Sequence, residues 1–301
     1  MTSAKALARF TSRQRLFSVL CALAVLVSWP SLKALVELSL HDERYTYILV
    51  IPIISAFFLY SEADRICRDA RYCPATGVPL MLLGFVLLFL SRMRLSFSES
   101  LTIAAGAMVL LWIGAFILCY GATSFRNARF PLLFLLLIVP IPSAILDRAV
   151  AWLQVGSAEL AYLLFRVTGV PILKHGMVMS LPGVDIEVAP QCSGIRSTMA
   201  LFLAGAVLSR LLLRTGWAGL VTILCIGPIG MFRNAVRIVC ISLLGVYVDR
   251  GFLVGNLHHR GGLLFSLVGF AVLIPLVCLL RRCERFLRFG RMIVGGSGAG
   301  L

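Results

Sequence analysis

Long apolar runs constrain this chain more than any other feature. Between short charged connectors the sequence returns to stretches such as Leu101–Tyr120 and Gly262–Leu280, in which almost every side chain is aliphatic, aromatic or absent. A helix of about 20 such residues spans the hydrocarbon core of a bilayer, and its backbone polar groups stay paired internally. Of 301 residues, 60% are apolar and 14% charged, against about 45–50% and about 25% in soluble domains. A water-soluble fold of this size has too small an interior for that much apolar surface. The expected fold is an all-α, polytopic transmembrane helical bundle.

Eight runs qualify as spans: about Leu16–Leu38, Tyr47–Tyr60, Val78–Leu90, Leu101–Tyr120, Phe130–Ile141, Ser193–Leu213, Trp217–Val248 and Gly262–Leu280. The first is too long for a signal-peptide core and lacks a small-residue cleavage site, so it reads as a retained span. Ser143–Val167 differs, because it carries Asp147, Arg148, Gln154, Ser157, Glu159 and Arg166 among its apolar residues. Charges at mid-bilayer cost roughly 2.5–3.5 kcal/mol each on insertion scales. An amphipathic helix at the outer surface is therefore expected there, entered through a bend at Pro140 and Pro142. Leu173–Val188 alternates apolar and polar residues around Pro182-Gly183, which reads as a short extracytoplasmic β-hairpin. Residues 1–301 form a single transmembrane domain in this reading. Residues 281–301 make a basic cytoplasmic tail, flexible across Gly295–Gly300.

The net charge of +15 does not point to nucleic acid, because the cations are dispersed among connectors and both ends. Basic ends on one side of a membrane require an even number of crossings. In the eight-span scheme the inner segments hold 16 Lys and Arg: four near the N-terminus, Arg65, Arg68, Arg71, Arg126, Arg129, Arg210, Arg214 and five near the C-terminus. The outer segments hold eight: Arg44, Arg92, Arg94, Arg148, Arg166, Lys174, Arg250 and Arg260. That bias puts both termini in the cytoplasm. The nine cysteines are odd in number and mostly lie in or beside apolar runs, so they do not form a disulfide framework. No metal-ligand cluster or nucleotide-binding loop is legible, and no cofactor is expected.

The scheme gathers reactive groups at one depth. Cys192 precedes a span that starts outside. Arg237 lies 20 residues beyond Trp217, roughly 30 Å along a helix that starts inside. His258 and His259 precede the last span. A cation beside a thiol favours the nucleophilic thiolate. Histidine passes a proton to a leaving amine, and arginine holds a thiolate or a developing oxyanion. Together these groups fit acyl transfer through a thioester. Two other classes stay open: a non-enzymatic membrane subunit of polysaccharide export or biosynthesis, and a transporter. The latter calls for mid-bilayer polar residues and an inverted repeat, and no such repeat is visible.

Three motifs resemble those of the exosortase/archaeosortase family. Gln191-Cys192-Ser193-Gly194-Ile195-Arg196-Ser197 resembles its Cys-Ser-Gly signature, Asn234-Ala235-Val236-Arg237 its Asn-x-x-Arg motif, and His258 with Gly262 its His-x-x-x-Gly motif. Asp42 to Ser55, Phe130 to Pro142 and Ile186 to Pro190 are similar to further family segments, so that the likeness covers about residues 40–275. It implies a bacterial inner-membrane cysteine transpeptidase acting outside the cytoplasm. Its substrates would be exported proteins ending in a sorting signal: a Pro-Glu-Pro-like motif, a transmembrane helix and a basic cluster. Cys192 is then the nucleophile, Arg237 the second catalytic residue and His258 the third, with His259 the alternative for that role. Ser193, Gly194, Arg196, Asn234 and His259 are supporting positions. The implied partners are the sorting-signal helix, membrane lipid and a lipid or other acceptor amine. The Ser-His pair that follows the family's first outer loop is Thr46-Tyr47 here.

Overall fold

The computed structural model describes residues 3–68, 70–93, 96–249, 251–254 and 262–296. His258 and His259, the connector residues Arg94, Arg250 and Arg260, and the end of the tail from residue 297 lie outside the described residues. Contacts gather the chain into two compact units, Met1–Ile145 and Leu146–Leu301.

In the first unit, α1 (Ser3–Val27) and α2 (Trp29–His41) share the first apolar run. That run is not one straight helix. It bends by 73° at Ser28, where Pro30 in the first turn of α2 has no N–H to continue the hydrogen-bond ladder. A 3₁₀ turn (Glu43–Val50) runs into α3 (Ile51–Ser61), and together they make a 19-residue candidate span. After α4 (Ala63–Cys67), α5 (Pro74–Leu90) packs lengthwise and antiparallel on α6 (Phe97–Asn127). Glycines set that approach. A Cβ on Gly77 would lie 2.6 Å from the Leu118 backbone, and one on Gly114 would lie 2.6 Å from Met81 Cγ. A capping box between Ser96 and Glu99 starts α6. At Gly121 (φ 87°) the helix kinks, and Arg71 N–H and Cys73 N–H donate to the carbonyls of Tyr120 and Leu118. α7 (Arg129–Phe134) and a 3₁₀ turn (Leu135–Ile138) follow, and helical geometry then stops before Pro140 and Pro142.

In the second unit, α8 (Ser143–Val167) leads to a three-stranded antiparallel sheet, β1 (Leu173–His175), β2 (Val178–Leu181) and β3 (Val184–Glu187). The Pro182-Gly183 turn joins β2 to β3, with Leu181 opposite Val184 and Val178 opposite Glu187. The sheet extends the expected hairpin by one strand. It turns Met179 and Leu181 into a core shared with Ala158, Ala161 and Phe165 of α8. α9 (Ile195–Leu212), α10 (Gly216–Tyr247) and α12 (Gly262–Gly296) pack on one another, and the short α11 (Gly251–Val254) lies between the last two in sequence. Buried Glu284 of α12 accepts from Arg214 N–H and Thr215 N–H, satisfying donors that the start of α10 leaves without intrahelical partners.

The sequence reading makes α8 an amphipathic helix, and its apolar side packs against α10. Trp152 meets Gly227, Met231 meets Gly156, and Ala158, Ala161 and Phe165 share a core with Ala235 and Val239. The charges Asp147, Arg148, Glu159 and Arg166 are all exposed.

Among the described residues, five helices have the length and apolarity to cross a membrane, and seven spans result if each bent pair, α1–α2 and α7–α8, counts as one. Three of the expected eight spans do not qualify alone, the first being Leu16–Leu38, which bends at Ser28. Phe130–Ile141 is broken, and α5 has 17 residues, about 25 Å against a core of about 30 Å.

Candidate active site

The turn that carries Cys192 is built from the chain leaving β3. Ala189 is extended (φ −68°, ψ 157°), and Pro190–Ser193 forms a single 3₁₀ turn in which Cys192 N–H donates to Ala189 O at 2.8 Å. Gly194 then takes a left-handed conformation (φ 74°, ψ 18°) as the N-cap of α9. Non-glycine residues pay about 1–2 kcal/mol for that region. A side chain there also has no room, since a Cβ would lie 2.4 Å from Arg233 Nη2 and 3.1 Å from Asn234 Oδ1.

Beside this turn lies a cavity of about 210 Å³. Cys192 forms one wall. Asn234, Arg237, Ile238 and Ile241 of α10 form another, spaced to share one helix face, and Asp185 and Glu187 of β3 complete the rim. Asn234 Nδ2 donates to Cys192 O at 2.6 Å, and Gln154 Nε2 of α8 donates to Val188 O at 2.5 Å. Cys192 is half-buried and in no disulfide.

Of the positions expected from sequence, Cys192, Asn234 and Arg237 thus come together at one cavity. Gly194 shapes the turn from behind. Ser193 is buried just under it, and its Oγ has no hydrogen-bond partner among the described residues. Arg196 is exposed in the first turn of α9 and is not among the residues lining the cavity. His258 and His259 fall outside the described residues, so the third catalytic position has no geometry here.

A family model for transmembrane exosortases matches residues 38–275. The chain belongs to the transmembrane exosortase family. It is a multi-pass membrane protein, and the match spans the cavity residues and both histidines. No curated protein and no solved structure matches the chain.

One residue of this exosortase-family site escaped the sequence reading. Arg233 immediately precedes the Asn-x-x-Arg motif and has no exposed surface. The signal was available, because an ionisable residue inside an apolar run is a functional candidate by default. It was overshadowed by the better-known motif one residue on.

Proposed function

We propose that this member of the exosortase family is a cysteine transpeptidase of the bacterial inner membrane. It cleaves the C-terminal sorting signal of exported proteins and passes the new C-terminus to an acceptor amine. One observation carries the reading: Cys192 and Arg237, from separate elements, wall the same cavity, and Asn234 fixes the carbonyl of the nucleophile's own residue.

The chemistry follows from the groups present. The Cys192 thiolate attacks the scissile carbonyl carbon, and Arg237 stabilises the oxyanion that forms. The C–N bond breaks as His258, or His259 in its place, protonates the leaving amine. The leaving fragment keeps the transmembrane helix and basic cluster, and the exported protein remains as a thioester on Cys192. An amine attacks that thioester and expels the thiolate, leaving an amide. Water in the same place gives a carboxylic acid.

The topology consistent with this reading has eight crossings, reached by a different count from the sequence's own. The α1–α2 pair and the α7–α8 pair each cross once, and α5, paired along α6, crosses as a short span. Both basic ends then face the cytoplasm, and the start of α9 with Cys192 faces outward.

The test is processing of a sorting-signal protein in cells that carry the wild-type chain, Cys192→Ala or Cys192→Ser. Both variants are expected to leave the precursor uncleaved while still inserting into the membrane. Normal processing by the alanine variant would defeat the proposal.

A further inference from the structure

Arg233 is the largest side chain without solvent exposure among the described residues. Among the described residues its one hydrogen bond is a long one, Nη2 to Gly194 O at 3.4 Å. That carbonyl already accepts from Thr198 N–H and Thr198 Oγ1, both at 3.0 Å. Arg233 Nε and Nη1 meet no acceptor, and no carboxylate pairs with the guanidinium among the described residues. A guanidinium does not lose its proton in a protein. A buried charge without a counter-ion is strongly unfavourable unless an anion forms nearby.

The surroundings sharpen the requirement. Arg237 stands one turn further along the same helix, so it adds a like charge. The positive end of α9 begins at Gly194, directly against Arg233. The nearby carboxylates, Asp185 and Glu187 of β3, are exposed at the cavity rim. Arg196 of α9 is exposed as well, and Glu159 of α8 is held by Lys174. The remaining group in this region, among the described residues, that can carry a negative charge is the half-buried Cys192 thiol at the cavity wall. Arg233 is not among the residues lining the cavity, so it does not meet substrate there.

We propose that Arg233 is the buried counter-charge of the Cys192 thiolate, a positioning residue that acts through the Cys192–Gly194 turn and leaves Arg237 to face the substrate. The inference rests on the cysteine chemistry proposed above. Arg233 Nη2 lies within about 4 Å of the Gly194 backbone, and two residues of chain add at most about 7 Å to Cys192. Across that distance, at an effective dielectric near 20, the attraction between two unlike unit charges corresponds to about a tenfold change in an equilibrium.

The experiment uses the full chain in lipid nanodiscs. Iodoacetamide labelling of Cys192 is followed by peptide mass spectrometry across a pH series, in wild type, Arg233→Gln and Arg233→Lys. Arg233→Gln is expected to move the labelling midpoint up by about one pH unit and to slow labelling at neutral pH about tenfold. Arg233→Lys, which keeps the charge, is expected to hold the wild-type midpoint. A folded Arg233→Gln protein with an unchanged midpoint overturns the proposal. If that variant does not fold, Arg233→Lys decides alone: a wild-type midpoint supports a charge role, and a midpoint displaced by a full unit overturns it. Labelling needs no peptide cleavage. Failure of the proposed transpeptidation would appear in the Cys192→Ala processing assay and not here.

Discussion

Gly194→Ala offers a sharp test of how the Cys192 turn is built, because the chain contains its own control. Gly194 and Gly169 both have φ of 74°. Alanine at either position carries the same left-handed backbone cost, about 1–2 kcal/mol. Their surroundings differ. A Cβ at Gly169 meets nothing within 4 Å, whereas one at Gly194 lies 2.4 Å from Arg233 Nη2 and 3.1 Å from Asn234 Oδ1. Ordinary contact begins near 3.4 Å, so either the Arg233 guanidinium shifts or the turn and α10 part by about 1 Å. Arg233 is wholly buried, and either movement disturbs the packing behind the turn. Overpacking of this kind adds about 1–3 kcal/mol. A displacement of about 1 Å at a reacting group costs about a hundredfold in rate. Processing of a sorting-signal substrate, normalised to folded protein by size-exclusion chromatography, is expected to be near wild type for Gly169→Ala. For Gly194→Ala it is expected to fall by about two orders of magnitude. Equal processing by the two variants would show that the close packing of Arg233 and Asn234 behind Gly194 does not position Cys192.

Two further outcomes are expected. Glu284→Ala strips Arg214 N–H and Thr215 N–H of their shared acceptor; each buried donor left without a partner costs about 1–3 kcal/mol, so a thermal-denaturation midpoint in detergent should drop by several degrees, and an unchanged midpoint would refute a capping role. A reporter inserted at Gly169, which is exposed and open, should be active only as an extracytoplasmic phosphatase, while one at the C-terminus should fluoresce in the cytoplasm. The reverse pattern would mean that α7 and α8 do not make a single crossing.

Much of the architecture was legible because apolar length is a local property. The runs that became α6, α9, α10 and α12 needed no partner to be recognised. Interruptions were harder. The bend at Ser28 depends on where Pro30 falls in the following turn, and the run around it is apolar on both sides. α8 carries two signals: its four charges are exposed, as an amphipathic helix requires, while Gly156 meets Met231 and Gly227 meets Trp152, contacts that no local pattern announces. At the site, the depth argument brought Cys192 and Arg237 to one level, and the structure adds that they share a cavity wall to wall. It did not reveal Arg233, because a depth count locates residues along a helix and is silent about which face is sealed.

Two side-chain amides hold the strip that carries Cys192. Gln154 of α8 grips the carbonyl of Val188 at one end, and Asn234 of α10 grips the carbonyl of Cys192 at the other. A strap riveted at both ends makes a poor lid. Cys192 is therefore tied to the two helices that grip its strip, and movement of its thiol would follow movement of α8 or α10. For the polypeptide substrate proposed above, widening the cavity falls to walls without such rivets, the outer edge of β3 first among them.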